Sequence, residues 1–223
     1  MQLDNVTQSL IVSAKLGNEE ALNKLFATYQ SKILRIVRLR LSSDMRSKLK
    51  LQSMDIVQEV FIYALQHLKD FEPKSQGHFV NWLGKKVEHY ICDRLDYVST
   101  LKRGAPGGEV SIDQESSPDG EKTGVNIEIE DKGTTPSQFA VKQEGRQLID
   151  SVLGLLEPEQ RELIIHRDLE EMTFTEIGEL LGRTEDAIRK QYCRAFKKFI
   201  DLSSDKLKPI IVEETYRKLD NEL

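Results

Sequence analysis

The sequence predicts an all-α protein of two small helical domains joined by a flexible acidic linker. Three observations predict it. Apolar residues recur at helical spacing through most of residues 1–98 and again through 137–202. Between these blocks, STLKRGAPGGEVSIDQESSPDGEKTGVNIEIEDKGTTP (99–136) is crowded with Gly, Pro, Ser and acids and has no helical period. Charge follows the same division. Residues 1–98 hold 14 Lys or Arg against 11 Asp or Glu, residues 99–140 hold 4 against 8, and residues 141–200 hold 10 against 12. A net charge of -5 therefore hides an acidic middle between two better-mixed halves.

The elements follow in order. LDNVTQSLIVSAKLG spaces its apolar residues helically and stops at Gly17. NEEALNKLFATYQSKILRIVRLRL puts Leu22, Leu25, Phe26, Tyr29, Ile33, Ile36 and Val37 on one broad face. SMDIVQEVFIYALQHLKDF is a third helix, with Ser53 or Asp55 able to cap it. Its buried side is Ile56, Val60, Phe61, Ala64, Leu65 and Leu68. FEPKSQGH, with Pro73 and Gly77, is a loop, and HFVNWLGKKVEHYICDRLDYV closes the first domain at residue 98. Within the linker, VNIEIE alternates enough for a short strand with nothing obvious to pair with.

Past the linker, SQFAVKQEGRQLIDSVLGLL is one helix, and Pro158 occupies the first turn of the next, EQRELIIHRDL. Thr173 or Thr175 begins EIGELLG, Gly182 supplies a turn, and TEDAIRKQYCRAFKKFI follows. Helix, tight Gly-containing turn, helix is the order of a helix-turn-helix. The second domain is residues 137–202. A C-terminal extension, 203–223, contains Pro209 and reads as a short amphipathic helix.

The last helix of the second domain carries the strongest functional signal. Arg183 to Lys198 holds six Lys or Arg against Glu185 and Asp186, inside an acidic protein. At 100° per residue, Ile188, Tyr192, Ala195, Phe196 and Phe199 fall within about 100° and form a packing stripe. Arg189, Lys190, Cys193, Arg194 and Lys197 occupy a separate sector about 140° wide. One face anchors and the other presents four cations around a small side chain. A recognition helix for the major groove needs that arrangement. The plain alternative is a solvated face balanced by acidic neighbours; the preceding turn and short helix favour DNA. Asp186 lies on the same sector, where it can cap the helix or accept from a cytosine amino group.

Composition excludes several classes. No apolar run approaches the roughly 20 residues of a membrane span, and no signal-peptide core follows Met1, so a cytoplasmic protein is expected. Cys92 and Cys193 form no CxxC pair, and His67, His78, His89 and His166 are scattered, so neither metal nor cofactor is expected. P-loop, GxGxxG, GxSxG and HExxH motifs are absent, which argues against an enzyme.

Three stretches, DIVQEVFIYALQHLKDF (55–71), FVNWLGKKVEHYICDRL (79–95) and LEPEQRELIIHRDLEEMTFTEIGELLGRTEDAIRKQYCRAFKKF (156–199), together resemble the extracytoplasmic-function (ECF) group of bacterial RNA polymerase sigma factors, in the sigma-70 family. The first is similar to region 2.2 in Asp55, Gln58, Glu59 and Phe61. The second is similar to regions 2.3 and 2.4 in Phe79, Trp82, Leu83 and Asp93, and the third to regions 4.1 and 4.2. The resemblance implies a region 2 domain over 1–98 and a region 4 domain over 137–202.

It also implies partners and sites. Core RNA polymerase would be engaged through its largest-subunit clamp helices by Asp55, Gln58 and Glu59, and through its beta flap. Promoter DNA would be read twice. The -35 element falls to Thr184, Arg189, Lys190, Cys193, Arg194 and Lys197. The melted -10 element, with a base flipped from the non-template strand, falls to Lys74, Ser75, Gln76, His78, Lys85 and Lys86. Extruding a base costs a few kcal/mol, so a pocket and phosphate contacts must offset it. Trp82 beside Leu83 reads as core, with base stacking the alternative. The linker is either a mimic of nucleic acid inside the polymerase or a solubilising tether, and the tail either packs on region 4 or gates it. An anti-sigma factor is a further partner the resemblance leaves open. A freestanding helix-turn-helix regulator is the main competing function, and a helical adaptor is another.

Overall fold

The computed structural model describes residues 5–72, 77–104 and 136–220, with side chains described for 6–42, 45–72, 77–100 and 145–204. Every regular element among them is a helix. The chain divides into two compact units, Met1–Glu130 and Asp131–Leu223.

In the first unit, α1 (Asn5–Lys15) leads to α2 (Glu19–Arg40), α3 (Ser43–Leu49), α4 (Ser53–His67) and α5 (His78–Gly104). Gly17 makes the first turn at φ 89°, and Asn18 then caps α2, its Oδ1 accepting from the Ala21 amide at 3.0 Å. The core is the meeting of Ile11, Leu25, Ile33, Ile36 and Val37 with Ile56, Val57, Val60 and Ala64 of α4 and Phe79, Leu83, Val87 and Ile91 of α5. Phe61 is half-buried and stacks on Phe26 with ring centres 4.6 Å apart. Leu65, expected on the buried side, is 54% exposed, and Val57 takes the inward position instead. Of the two candidate caps for α4, the Asp55 carboxylate is the one used: it accepts from the Gln52 amide at 3.0 Å, and Ser53 is buried.

Two features of this unit escape a periodicity reading. α3 is seven residues long, too short to show an apolar repeat; Ser42, accepting from the Met45 amide at 3.3 Å, starts it and Lys50, at φ 51°, ends it. α5 runs past Val98 to Gly104, so Ser99 through Gly104 are helical rather than linker. Residues 105–135, which include the rest of that linker and the VNIEIE segment, lie outside the described residues. Arg40 is buried between α2 and α5, where its Nη1 donates to the Gly84 carbonyl at 2.9 Å.

In the second unit, α6 (Pro136–Leu153) is followed by α7 (Pro158–Ile164), a π-helical turn (Ile165–Leu169), α8 (Phe174–Leu181) and α9 (Glu185–Asp220). Pro158 stands in the first turn of α7, where its missing N–H costs nothing. The expected single helix over EQRELIIHRDL is divided by the π turn. There the buried His166 Nδ1 and Glu170 Oε2 meet at 2.6 Å, a polar pair sealed under the domain. α9 continues without interruption through Pro209 to Asp220, so the tail is a prolongation of the basic helix and not a separate short one. Side chains beyond residue 204 lie outside the described residues, including those weighed for packing or gating.

Candidate nucleic-acid interface

Local chemistry sets the angle between α8 and α9. Thr173 and Glu176 cap α8 reciprocally: the Thr173 amide donates to Glu176 Oε2 at 2.7 Å and the Glu176 amide to Thr173 Oγ1 at 3.2 Å. Gly182, at φ 64°, turns the chain out of α8, a left-handed conformation that suits glycine. Thr184 restarts it, its Oγ1 accepting from the Ala187 amide at 3.3 Å. Gly178 lets the turn fold back on α8, because a Cβ there would lie 2.7 Å from the Arg183 carbonyl oxygen. Leu163, Met172, Ile177 and Ile188 form the buried cluster beneath, with Phe174 packed against it.

The stripe expected to anchor α9 does so in part. Ile188 and Ala195 are fully buried, Tyr192 and Phe199 are half-buried, and Phe196 is 39% exposed. Tyr192 packs edge-on against Phe174 and donates its hydroxyl to both Asp168 carboxylate oxygens at 3.1 and 3.0 Å. Burial, reinforced by the Asp168 charge, pushes the Tyr192 phenol up to about 12. Burial also raises the Asp168 carboxyl, against the pull of the hydrogen bond from Tyr192.

On the other face, Arg189, Lys190, Cys193, Arg194 and Lys197 are all exposed. The structure thus brings together the five residues that helical geometry assigned to one sector. Thr184 joins them at the start of α9 as its cap, and it, not Asp186, performs that task. Sequence reasoning missed the company Arg189 keeps. Its guanidinium pairs with Glu185 and lies 5.5 Å from the Phe174 ring centre, while Thr175 donates to Glu185 Oε2 at 2.8 Å. The available signal was the four-residue spacing of Glu185 and Arg189. Arg183, similarly, donates to Gln191 Oε1 at 2.9 Å.

The candidate site on the first unit is only partly described. Lys74, Ser75 and Gln76 lie outside the described residues. His78 is half-buried with its ring 5.2 Å from Phe71, Lys85 is exposed, and the Lys86 ammonium sits 4.4 Å over the Tyr63 ring. Trp82 is half-buried, stacked on Phe71 at 4.7 Å and flanked by Phe79 and Tyr63. Such packing fits the core reading more closely than the stacking one. On α4, Asp55, Gln58 and Glu59 are exposed together, with the Asp55 carboxylate also serving the cap.

Residues 146–199, which hold α8, the turn and α9 as far as Phe199, match the family described as Sigma-70, region 4. Two curated relatives extend the likeness across the chain. An ECF RNA polymerase sigma-E factor from Haemophilus influenzae is 22% identical over 204 residues, covering 92% of this chain and 96% of the relative. Its namesake from Escherichia coli K12 is 26% identical over 205 residues, covering 92% and 95%. Residues 146–199 are thus similar to region 4 of the sigma-70 family, and the rest of the chain to its ECF members. The matched segment lies within the second unit and contains α8, the Gly182 turn and α9 as far as Phe199. A solved structure of CnrH in complex with the cytosolic domain of CnrY is 20% identical, covering 90% of this chain and 99% of that one at a TM-score of 0.48.

Proposed function

We propose that this protein is a sigma factor of the sigma-70 family, of the ECF type: it binds core RNA polymerase and directs promoter-specific initiation of transcription. The observation that carries the reading is the coincidence of the region 4 match with a helix-turn-helix whose second helix packs by Ile188 and Ala195 and exposes four cations. It is a binding and positioning protein, without chemistry of its own, and it works where the bacterial polymerase works, in the cytoplasm. Among the described residues, no helix is long and apolar enough to cross a membrane.

In this reading α9 enters the major groove at the -35 element. Thr184 sets the helix start against the backbone, and Arg189, Lys190, Cys193, Arg194 and Lys197 face the groove. An Arg engaging a guanine edge with both nitrogens contributes about 1–3 kcal/mol of discrimination, whereas a lysine on phosphate adds affinity at every sequence. The segment 72–86 takes the melted -10 strand, with Lys74, Ser75, Gln76 and His78 around a flipped base and Lys85 and Lys86 on phosphates. Asp55, Gln58 and Glu59 of α4 meet the polymerase clamp helices, and region 4 meets the beta flap. An anti-sigma factor that covers these surfaces would hold the protein inactive.

Acidity is consistent with this work. A subunit delivered to promoters by a large polymerase needs little affinity of its own, because tethering raises its effective concentration at the second contact. The test is transcription from genomic fragments by purified core polymerase with and without the protein. Start sites sharing -35 and -10 sequences are expected. Specific DNA binding by the protein alone, with no new start sites, would instead mark a freestanding regulator.

A further inference from the structure

Arg189 does not project freely from α9. Its Nη2 donates to Glu185 Oε1, one turn earlier, and its guanidinium stands over the Phe174 ring of α8. The second oxygen, Glu185 Oε2, is occupied as well, accepting from Thr175 Oγ1 at 2.8 Å. Glu185 therefore ties the two arms of the helix-turn-helix together, accepting from Thr175 of α8 and from Arg189, whose guanidinium shares the Phe174 ring with Arg167. The arrangement lies on the surface, with the Arg189 and Glu185 side chains 56% and 43% exposed, so it contributes little to folding. Its position at the edge of the cationic sector, beside the start of α9, is what gives it meaning.

Two consequences for DNA pull in opposite directions. A guanidinium held in one orientation is a preorganised fork, and less ordering remains to be done when it meets a base edge. Yet the carboxylate that holds it cancels one of the positive charges facing the phosphates, which weakens attraction to DNA of any sequence. The Thr175 hydroxyl, and after it Arg189, hold the Glu185 carboxyl below the usual carboxylate range, so the charge persists at neutral pH.

We propose that Glu185 is a positioning residue for promoter selection: with Thr175 it aims the Arg189 guanidinium at base edges and withholds it from indiscriminate phosphate contact. The proposal deepens the -35 reading of α9 and rests on it. Glu185 touches no base. It lowers affinity for random DNA and raises selectivity, acting through Arg189.

The experiment measures binding of the full-length chain to a pool of random-sequence duplexes over a salt series, with sequencing of the bound fraction. Glu185→Ala is expected to steepen the salt dependence of binding by about 0.9 in log–log slope and to tighten bulk binding about five-fold near physiological salt. The same variant should lose roughly ten-fold in discrimination at one base-pair position. Thr175→Val should lose part of that discrimination with the slope unchanged, since no charge is removed. Glu185→Gln should steepen the slope but keep most of the selectivity, because its amide oxygen still accepts from Arg189.

A residue that merely supported the fold would lower affinity and selectivity together, and that result in Glu185→Ala would overturn the proposal. Arg189→Ala separates the two levels. If it changes neither affinity nor selection, the -35 reading of this face fails. If it lowers both while Glu185→Ala leaves slope and selection as in the wild type, only the positioning role fails. Without DNA, NMR of the arginine side chains should show slower guanidinium rotation at Arg189 than at Arg194, with the difference abolished in Glu185→Ala. Equal rotation in the wild type would contradict the restraint on which the proposal depends.

Discussion

Gly178 shows how much one missing methyl decides. A Cβ at this position would stand 2.7 Å from the Arg183 carbonyl oxygen, backbone that cannot swing aside as a side chain would. Gly178→Ala is therefore expected to destabilise the second unit by about 1–3 kcal/mol through overpacking, although alanine is the better helix former. Thermal unfolding followed by circular dichroism measures it, and an unchanged or higher midpoint would contradict the close approach. Tyr192 yields a prediction in pH. An unfolded tyrosine ionises near pH 10 (roughly) and the folded Tyr192 near about 12, so between these values the folded state holds the extra proton. Its stabilising contribution is complete below the lower value and is lost as pH rises through the window. Phenolate absorbance should show one of the six tyrosines ionising late, and Tyr192→Phe should remove that step. The packing of Tyr192 was legible from helical spacing. Its hydrogen bonds to Asp168, 24 residues away, were not, because they depend on how α9 lies against the π turn.

At the scale of elements, what could be read was what apolar period reveals. The long helices of both units and the Gly182 turn follow from it. α3 did not, since it owes its existence to Ser42 and Lys50 at its ends and not to a buried stripe. The π turn at Ile165–Leu169 also escaped. One extra residue in a turn leaves the composition of the apolar run unaltered and shifts only which groups point inward. It is nonetheless where His166 and Glu170 are sealed in together at 2.6 Å, both nearly inaccessible. Removing Glu170 takes away the partner that the buried His166 Nδ1 meets, and leaves Glu162 Oε2 at 4.0 Å from its Nε2. Glu170→Ala is expected to cost about 1–3 kcal/mol of stability in the second unit. Chemical denaturation of the variant checks this, and a wild-type midpoint would show the pair to be dispensable. Local helix breaks of this kind are set by packing that no single stretch of sequence records.

At the scale of the molecule, every regular element among the described residues is a helix, and the two compact units agree with the fold class expected from periodicity and charge. The division of labour on α9 was legible too, because one helix fixes its faces by angle alone. The surroundings of the candidate -10 site were less so: Lys86 of α5 lies over Tyr63 of α4, and Trp82 of α5 stacks on Phe71, placements with no signature in spacing. Three of its residues, Lys74, Ser75 and Gln76, lie outside the described residues. The basic sector of an acidic chain remains the feature that the whole reading must explain. Its most direct test is the double substitution of Arg189 and Arg194 by Ala in transcription from genomic fragments with purified core polymerase. New start sites with the wild-type protein, sharing a -35 sequence and falling at least ten-fold with the variant at about 1.4 kcal/mol or more of lost recognition, are the expected result. Start sites that persist undiminished, with an unchanged -35 sequence, would contradict promoter reading by this helix.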